Sequence, residues 1–382
     1  MQIATLRRTL IFSFLLTILV FSTGCSSNTP PQLMSQLCSG CQFLFATTNS
    51  GQILTFRLTP SGGLGTPTST AGPANSAGLI ALAPGLPQQL YVYVSDPTAN
   101  AIRVYAMNAT DATLAPASIG PYPLGDGNGS PGEMALFGNV IYIAGSENRL
   151  LAFTVNMDGS LTSVPGSPFA GGAGLSHLVV APASNTDFLY ASNANDANGS
   201  ISAFKITSGG ALQPVAGSPF PTVAGGGPAG FYQVGTALYV ALRNANAVAA
   251  FAIAADGSLS PLPGSPFAAG HGTFSLNGAD GFLFATNNSD GTISSYSIDP
   301  VTGVLTDVAG SPFPGVVSTG DTLYSSGVLF VPDASSNSII VFQPDLSNGV
   351  VNRMTGSPFQ GGAGPIALTL GGFPVVDPPG GN

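Results

Sequence analysis

A Gly-Ser-Pro-Phe motif that recurs at nearly constant spacing constrains the fold of this 382-residue chain more than any other feature. Complete copies begin at Gly166, Gly217, Gly264, Gly310 and Gly356. Degenerate copies begin at Gly120 and Gly72, which continues the same spacing upstream. Residues 42–382 therefore hold seven units of about 49 residues each, and a period of this length is typical of a propeller or a solenoid.

Within each unit the apolar residues alternate, which is the pattern of β-strands. One unit has an alternating stretch at 282–287, an Asp290-Gly291 turn and a second stretch at 292–298, which predicts a hairpin. In all seven units an aromatic residue of the first strand lies 11 to 14 residues before one of the second, and the pairs are Phe45/Phe56, Tyr93/Tyr105, Tyr142/Phe153, Tyr190/Phe204, Tyr239/Phe251, Phe284/Tyr296 and Phe330/Phe342. A third strand leads into Gly-Ser-Pro-Phe, and an apolar fourth strand precedes each pair. The sequence predicts an all-β, seven-bladed β-propeller with four strands per blade.

The apolar strand, for example residues 178–181, is placed innermost because its near-continuous apolar character suits burial on both faces. We expect the Gly-Ser-Pro-Phe corner to be structural: Gly permits the bend, Pro ends the pairing of the outer strand, and Phe fills the gap between blades. The first unit lacks an innermost strand, whereas the last has a surplus one at 364–369. We therefore expect the C-terminal strand to close the first blade and remove an open edge.

Composition excludes several classes of protein. The 51 Gly and 32 Pro residues would interrupt the long helices of a bundle or coiled coil. The absence of Trp excludes WD-type repeats, and strands this short do not suit a transmembrane barrel. The net charge of −9 disfavours binding to nucleic acid, whose phosphates attract basic surfaces.

The N-terminus has the features of an export signal. Arg7 and Arg8 precede an apolar run from Thr9 to Ser22, and small residues lead into Cys25. This arrangement resembles a bacterial lipoprotein lipobox, which implies cleavage after residue 24 and acylation of Cys25. The alternative is ordinary cleavage with Cys25 as a free thiol. Ser26, by the same resemblance, favours the outer membrane. We predict a signal peptide at 1–24, an anchored tether at 25–41 and the propeller at 42–382.

Cys38 and Cys41 lie in the polar tether and form a Cys-x-x-Cys pair. Three interpretations are open: half of a metal site, a redox motif, or a local disulfide. Zinc needs further ligands, and a thioredoxin-like site needs a βαβ context. In an oxidising compartment a disulfide is favoured.

The repeat unit resembles a known family. Residues 284–287 with 291–296 resemble the YVTN-type propeller repeat, and residues 176–193 resemble the lactonase-type seven-bladed propeller. That resemblance implies an innermost-strand His, matched by His177, and an Arg-His pair in the next blade, where Ala229 and Gly230 stand. It also implies a Glu where this chain has Arg243.

The two histidines stand at the same distance along the chain before an aromatic residue, His177 before Tyr190 and His271 before Phe284, so we expect them at equivalent positions. Candidate catalytic residues are His177, His271 and Glu133. Polar residues near the same end of the blades are candidate ligand-binding residues: Asp96, Asn193, Arg243, Asn287 and Asp333. Turn capping is the simpler role for the Asn and Asp residues among them. The sequence indicates no metal site and no cofactor.

Two functions remain open. The missing Arg and Glu favour a non-catalytic binding or scaffold module. We expect this module to be a monomer that is lipid-anchored in the cell envelope and binds a protein or a carbohydrate-like ligand. The alternative is a divergent lactone hydrolase that resembles 6-phosphogluconolactonase. Opening a lactone needs a group that activates water and a cation that stabilises the oxyanion.

Overall fold

Seven antiparallel sheets follow one another around a central axis in the part of the chain that the structure describes. The structure is a computed structural model, and it describes residues 42–59, 61–84, 89–108, 111–125, 131–145, 148–317 and 320–372. Each sheet has four main strands in sequence order, so each is one propeller blade. The predicted all-β, seven-bladed propeller is confirmed. The predicted signal peptide, tether, lipidated Cys25 and Cys38–Cys41 disulfide lie outside the described residues.

The strands run from the innermost to the outermost position within each blade, except that blade 1 takes its innermost strand from the C-terminus. Blade 1 contains β1 (Gln42–Thr48), β2 (Gln52–Arg57) and β3 (Thr68–Ala71). Blade 2 contains β4 (Leu79–Leu82), β5 (Tyr91–Asp96), β6 (Ala101–Met107), β7 (Leu114–Pro116) and β8 (Tyr122–Pro123). Blade 3 contains β9 (Met134–Phe137), β10 (Val140–Ala144), β11 (Arg149–Val155), β12 (Leu161–Ser163) and β13 (Phe169–Ala170). Blade 4 contains β14 (Leu175–Ala183), β15 (Thr186–Asn193), β16 (Ser200–Ile206), β17 (Leu212–Pro214) and β18 (Phe220–Pro221), with a 3₁₀ turn at Ser208–Gly210.

The remaining blades repeat this arrangement. Blade 5 contains β19 (Pro228–Val234), β20 (Ala237–Leu242), β21 (Ala247–Ile253), β22 (Leu259–Pro261) and β23 (Phe267–Ala268). Blade 6 contains β24 (Thr273–Ala279), β25 (Phe282–Asn287), β26 (Thr292–Ile298), β27 (Leu305–Asp307) and β28 (Phe313–Pro314). Blade 7 contains β29 (Leu323–Ser325), β30 (Val328–Asp333), β31 (Ser338–Asp345), β32 (Val350–Arg353) and β33 (Phe359–Gln360). The C-terminal strand is β34 (Pro365–Gly372).

The ring is closed by pairing the two ends of the described chain. β34 pairs antiparallel with β1, with Leu370 opposite Leu44 and Leu368 opposite Ala46. This pairing completes blade 1 and leaves neither end as an exposed strand edge. The predicted closure of the first blade by the C-terminal strand is confirmed.

The most deeply buried strand is the second in each blade, not the innermost one. All residues of β10, β20 and β30 are buried, because both of their faces pack against neighbouring blades. The innermost strands are only partly buried, as in β34 and β24, because one edge borders the axial channel. The innermost placement of the apolar strand is therefore right, but the expected burial on both faces is wrong.

The Gly-Ser-Pro-Phe corner uses its serine as well as the three residues whose roles were predicted. Ser265 Oγ accepts the backbone N–H of Ala250 at 2.8 Å, so the corner continues the hydrogen bonding of the third strand after the outer strand has ended. Phe267 then forms a short extra strand with Ala268, pairs with Val248 and packs against the apolar side chains between blades 5 and 6. The sequence predicted the role of Phe but missed this fifth, two-residue strand.

Candidate active site

One position on or just before the innermost strand recurs in all seven blades, at the same register relative to the second strand. In each blade, the first member of the recurring aromatic pair lies on the second strand and pairs with a residue of the innermost strand, and the position lies two residues before that partner. Glu133 precedes Ala135, the partner of Tyr142, and His177 precedes Val179, the partner of Tyr190. The same rule places Ala367, Gly78, Glu133, His177, Gly230, Ser275 and Asp321 in blades 1 to 7. We call these seven residues the axial ring. Its ionisable members are Glu133, His177 and Asp321.

His177 reaches across the channel to the far side of the axial ring. Its Nε2 lies 3.4 Å from Oδ1 of Asp321, although His177 belongs to blade 4 and Asp321 to blade 7. The imidazole side chain is about 10% exposed and Asp321 about 33%, so the pair lies where the channel meets solvent. The distance exceeds the usual 2.7–3.2 Å of an N–H···O hydrogen bond. The Nε2–H group is therefore only loosely engaged by Asp321.

The other side of the His177 ring is fixed by two serines. Nδ1 lies 3.0 Å from Oγ of Ser176, which in turn lies 2.9 Å from Oγ of Ser192. Ser192 Oγ also accepts the backbone N–H of His177 at 3.0 Å. The ring plane is set further by Phe274 of blade 6, whose ring meets the imidazole edge-on at a centroid distance of 5.1 Å. These contacts hold His177 in one orientation.

Glu133 comes from the blade next to that of His177. Its Oε2 accepts the backbone N–H of Leu178 at 2.8 Å, so the carboxyl group lies against the channel edge of β14. Burial raises the pKa of Glu133, and the negative charge of Asp321 raises it further, while His177 and the Leu178 N–H counteract part of this rise. A carboxylate with a raised pKa is a better base than an ordinary one when it is ionised.

His177 is held in its cationic form by its neighbours. Burial on its own would lower the pKa of the imidazole, and so would the positive charge of Arg243. The carboxylates of Asp321 and Glu133 outweigh both and raise the pKa of His177 to about 9. The site thus combines a fixed cation with two carboxyl groups on the same ring of residues.

Arg243 lies at the channel mouth beside this cluster. It follows directly after β20, is exposed, and its guanidinium carbon lies 5.6 Å from the centre of the Phe274 ring. Phe274 therefore contacts both the guanidinium of Arg243 and the imidazole of His177. The structure describes no salt bridge to Arg243.

A cavity of about 300 Å³ opens onto the axial ring. Of the axial ring, Glu133, Asp321 and Ala367 line it, together with Thr369 and apolar residues of blades 1, 2 and 3, and none of the residues that line it is Lys or Arg. A larger cavity of about 400 Å³ lies against residues 234–237 and 298–303. Its ionisable residue, Asp299, is occupied by hydrogen bonds within its own turn. The axial cavity is therefore the better candidate for chemistry.

His271 does not belong to this cluster, and its expected equivalence with His177 is wrong. The residue of blade 6 that is equivalent to His177 is Ser275, which precedes Asn277, the partner of Phe284. His271 lies four residues earlier, is exposed, and its backbone N–H donates to Asp290 at 2.9 Å. The two histidines lie at equal distances from their aromatic residues but not at equivalent positions. The reason is that the hairpin of β14 and β15 extends two residues further along each strand than that of β24 and β25.

Four of the candidate ligand-binding residues are buried inside their blades. Asn193 bonds Ser200 and Ser202, and Asn287 bonds Thr292 and Ser294. Asp96 forms a salt bridge with Arg103 and accepts the backbone N–H groups of Thr98 and Ala99, and Asp333 accepts those of Ser335 and Ser336. These partners correspond to the turn-capping role that Asn and Asp have at strand ends. Only Arg243 of the five lies beside the axial cluster.

Asp321 is the site residue that sequence reasoning missed. A signal for it exists, because Asp321 lies nine residues before Phe330, and Glu133 lies nine residues before Tyr142. His177 obscures this signal, because the longer hairpin of blade 4 places it 13 residues before Tyr190 instead of nine. Within the described ranges, no group of three or more His, Cys, Asp or Glu has the geometry of a metal site. The same ranges contain no helix long and apolar enough to cross a membrane.

Comparison with known proteins agrees with this fold. Residues 148–319 match the family model described as Lactonase, 7-bladed beta-propeller, which confirms the lactonase-type resemblance over that segment. A Bacteroides fragilis protein provisionally named a 6-phosphogluconolactonase is similar in structure, with 20% identity, coverage of 89% of this chain and 100% of that chain, and a TM-score of 0.71. The periplasmic gluconolactonase PpgL of Pseudomonas aeruginosa is 19% identical, with coverage of 88% and 100% and a TM-score of 0.69. At these identities the likeness concerns the fold. No curated protein sequence matches the chain.

Proposed function

We propose that the protein is a divergent lactone hydrolase whose reaction takes place at the axial ring. The observation that carries this proposal is the meeting of His177 and Asp321 across the channel, with Glu133 on the same ring. The sequence favoured a binding module because the implied Arg and Glu were missing. Other residues supply equivalent groups: His177 is the cation, and Glu133 and Asp321 are the carboxyl groups.

The chemistry assigns a role to each group. Ionised Glu133 takes a proton from water, and the water oxygen forms a bond to the lactone carbonyl carbon. Protonated His177 stabilises the oxyanion through Nε2–H, which the 3.4 Å separation from Asp321 leaves accessible. Collapse of this intermediate breaks the ring C–O bond, and the proton on Glu133 passes to the departing alkoxide. Asp321 keeps His177 protonated throughout.

The charges of the site favour an uncharged lactone. The cavity is lined by two carboxyl groups and by no Lys or Arg, and the sequence downstream of residue 41 contains 17 acidic residues against six basic ones. A phosphorylated lactone would meet this negative potential, whereas the hydroxyl groups of an unmodified sugar lactone can donate to the carboxylates. The volume of about 300 Å³ lies at the small end of ligand pockets, which span roughly 300–1,000 Å³.

A lactone panel tests the proposal. We expect the purified protein to hydrolyse D-glucono-δ-lactone and His177→Ala to lose that turnover. His271→Ala is the matched control, because His271 is exposed and lies away from the axial ring, and it should keep wild-type activity. If neither the wild type nor the control accelerates hydrolysis of any lactone, the binding-module alternative is preferred.

Export and anchoring through Cys25 remain part of the proposal. The motif around Cys25 supports a lipid-anchored protein of the cell envelope, with the outer membrane as the expected site. A radiolabelled fatty acid should be incorporated into the wild-type protein and not into Cys25→Ala. A Cys25→Ala protein that stays in the membrane fraction and retains the label would overturn the anchor.

A further inference from the structure

The innermost strands of blades 6 and 7 are joined by side chains. β29 has only three residues, and Asp321 lies outside it, two residues before its start. Two side chains of β24 hold this segment. Asn277 Nδ2 donates to the Thr322 carbonyl oxygen at 3.0 Å, and Asn277 Oδ1 accepts the Tyr324 N–H at 3.1 Å. Ser275 Oγ accepts the Thr322 N–H at 3.0 Å.

The Asn277 carboxamide takes the place of a neighbouring strand. It bonds the Thr322 carbonyl, just before β29, and the Tyr324 N–H within it, which are two residues apart on one edge and are the groups that a peptide of an adjacent strand would bond. The Thr322 side chain adds to the contact, since its Oγ1 lies 2.6 Å from Asn277 Nδ2 and 3.0 Å from Ser275 Oγ. Ser275 is buried and Asn277 is half-buried, so these bonds are largely protected from water. We call Ser275 and Asn277 the blade 6 clamp.

The charge of the Asp321 carboxylate favours its movement away from the other acidic group of the axial ring. Its carboxylate contributes to the raised pKa of Glu133, so the two acidic groups repel each other when both are ionised. A side chain that is about one third exposed can relieve this repulsion by turning toward water. The bonds to the Thr322 N–H and carbonyl fix the backbone next to Asp321, which limits how far its carboxylate can move from His177.

We infer that Ser275 and Asn277 are positioning residues that fix the Asp321 carboxylate against His177. This inference rests on the proposed function for its catalytic meaning, but its physical content concerns the placement of Asp321. The charged groups that face His177 are Asp321 and Glu133, which favour its protonation, and Arg243, which opposes it. When the clamp is removed, Asp321 moves away, and burial and Arg243 lower the affinity of His177 for its proton.

Proton NMR titration of the imidazole signals tests this without any need for turnover. The chain contains only two histidines, so exposed His271 serves as an internal reference. We expect Asn277→Ala to lower the pKa of His177 by about one unit or more, because the imidazolium loses a nearby opposite charge. The His271 signal should be unaffected. Asp321→Asn defines the full shift. Asn277→Gln, which keeps the carboxamide, should restore part of it.

Asn156→Ala is the matched control, because Asn156 Nδ2 also bonds two side-chain hydroxyls, but in an exposed turn of blade 3. It should leave both histidines unchanged. If Asn277→Ala does not fold, Ser275→Ala removes the other half of the clamp and should give a smaller shift of the same sign. An unshifted His177 in a folded clamp variant, beside a shifted His177 in Asp321→Asn, would overturn the inference. The expected shifts in a protein that hydrolyses no lactone would support the clamp and refute only the proposed function.

Discussion

The phenolic hydroxyl of Tyr239 donates a hydrogen bond of 2.7 Å to the backbone carbonyl of Gly303, which lies in the outer turn of the next blade. The same contact joins each of three earlier blades to its successor: Tyr93 to Gly159, Tyr142 to Gly210 and Tyr190 to Gly257. Blade 6 has Phe284 at this position, and there Ser295 Oγ donates to the Gly349 carbonyl at 2.7 Å instead. Where the recurrent aromatic is Tyr, it therefore also joins blades through a polar contact.

Removing one of these hydroxyls should destabilise the propeller. Tyr239→Phe keeps the ring but leaves the Gly303 carbonyl without its donor in a buried interface, which costs about 1–3 kcal/mol. Chemical denaturation monitored by circular dichroism measures this loss. Tyr122→Phe is the control, since the Tyr122 ring is only half-buried, and it should change the free energy of unfolding by less than about 0.5 kcal/mol. Equal effects of the two substitutions would contradict the interblade role.

The corner serine should matter for the same physical reason. Ser265→Ala removes the acceptor of the Ala250 N–H, and we expect a loss of about 1–2 kcal/mol in the free energy of unfolding. The Ser258 side chain bonds Asp256 in an exposed turn, so Ser258→Ala should cost less than about 0.5 kcal/mol. Thermal unfolding of the two variants side by side compares them. A smaller loss for Ser265→Ala than for Ser258→Ala would show that the motif does not need its serine.

The pH dependence of lactone hydrolysis should be bell-shaped and displaced to alkaline pH. Glu133 acts when ionised, and its raised pKa moves the acid limb well above the value of about 4.3 for an ordinary Glu. His177 acts when protonated, so activity should fall as pH rises through about 9. Initial rates between about pH 5 and 10, corrected for spontaneous hydrolysis and expressed as kcat/KM, give the profile. An alkaline limb near about 6.5, the value of an isolated His, would contradict the cationic role of His177.

Substrate charge should have a large effect on rate. We expect kcat/KM for D-glucono-δ-lactone to exceed that for its 6-phosphate by about tenfold or more, because about 1.4 kcal/mol of repulsion from Glu133 and Asp321 already gives a factor of ten. The preference should decrease as ionic strength rises, since salt screens such repulsion. Faster hydrolysis of the phosphorylated lactone would show that Arg243 or another cation recruits the anion.

The fold was predictable because its sequence repeats. Seven copies of a corner motif and of an aromatic pair specify the number of blades, and the surplus strand at 364–369 specifies how the ring closes. The extra strand after the corner in blades 2 to 7 was not predictable in this way, because two residues such as Phe267 and Ala268 are too few to show alternation. The burial of the second strand rather than the innermost one follows from the axial channel, which the sequence of one blade does not reveal.

The site was only partly predictable, because it depends on spatial equivalence between blades. His177 and Glu133 were candidates on their chemistry, but Asp321 stands outside a short strand and carries no motif. The distance of His271 from Phe284 predicts a position equivalent to that of His177, but this distance depends on hairpin length, which differs between blades 4 and 6. The pairing register, and not the distance along the chain, places Glu133, His177 and Asp321 on one ring.

The most direct test of the central claim is the turnover of D-glucono-δ-lactone by Glu133→Gln beside the wild type, followed with a pH indicator. The variant keeps the shape of the side chain and an oxygen that can accept the Leu178 N–H, but it has no carboxylate to accept the proton of water. We predict a kcat that is lower by about 10²–10⁴-fold, the usual contribution of a general base, in a protein of unchanged thermal stability. Undiminished turnover in Glu133→Gln would contradict the assignment of lactone hydrolysis to the axial ring.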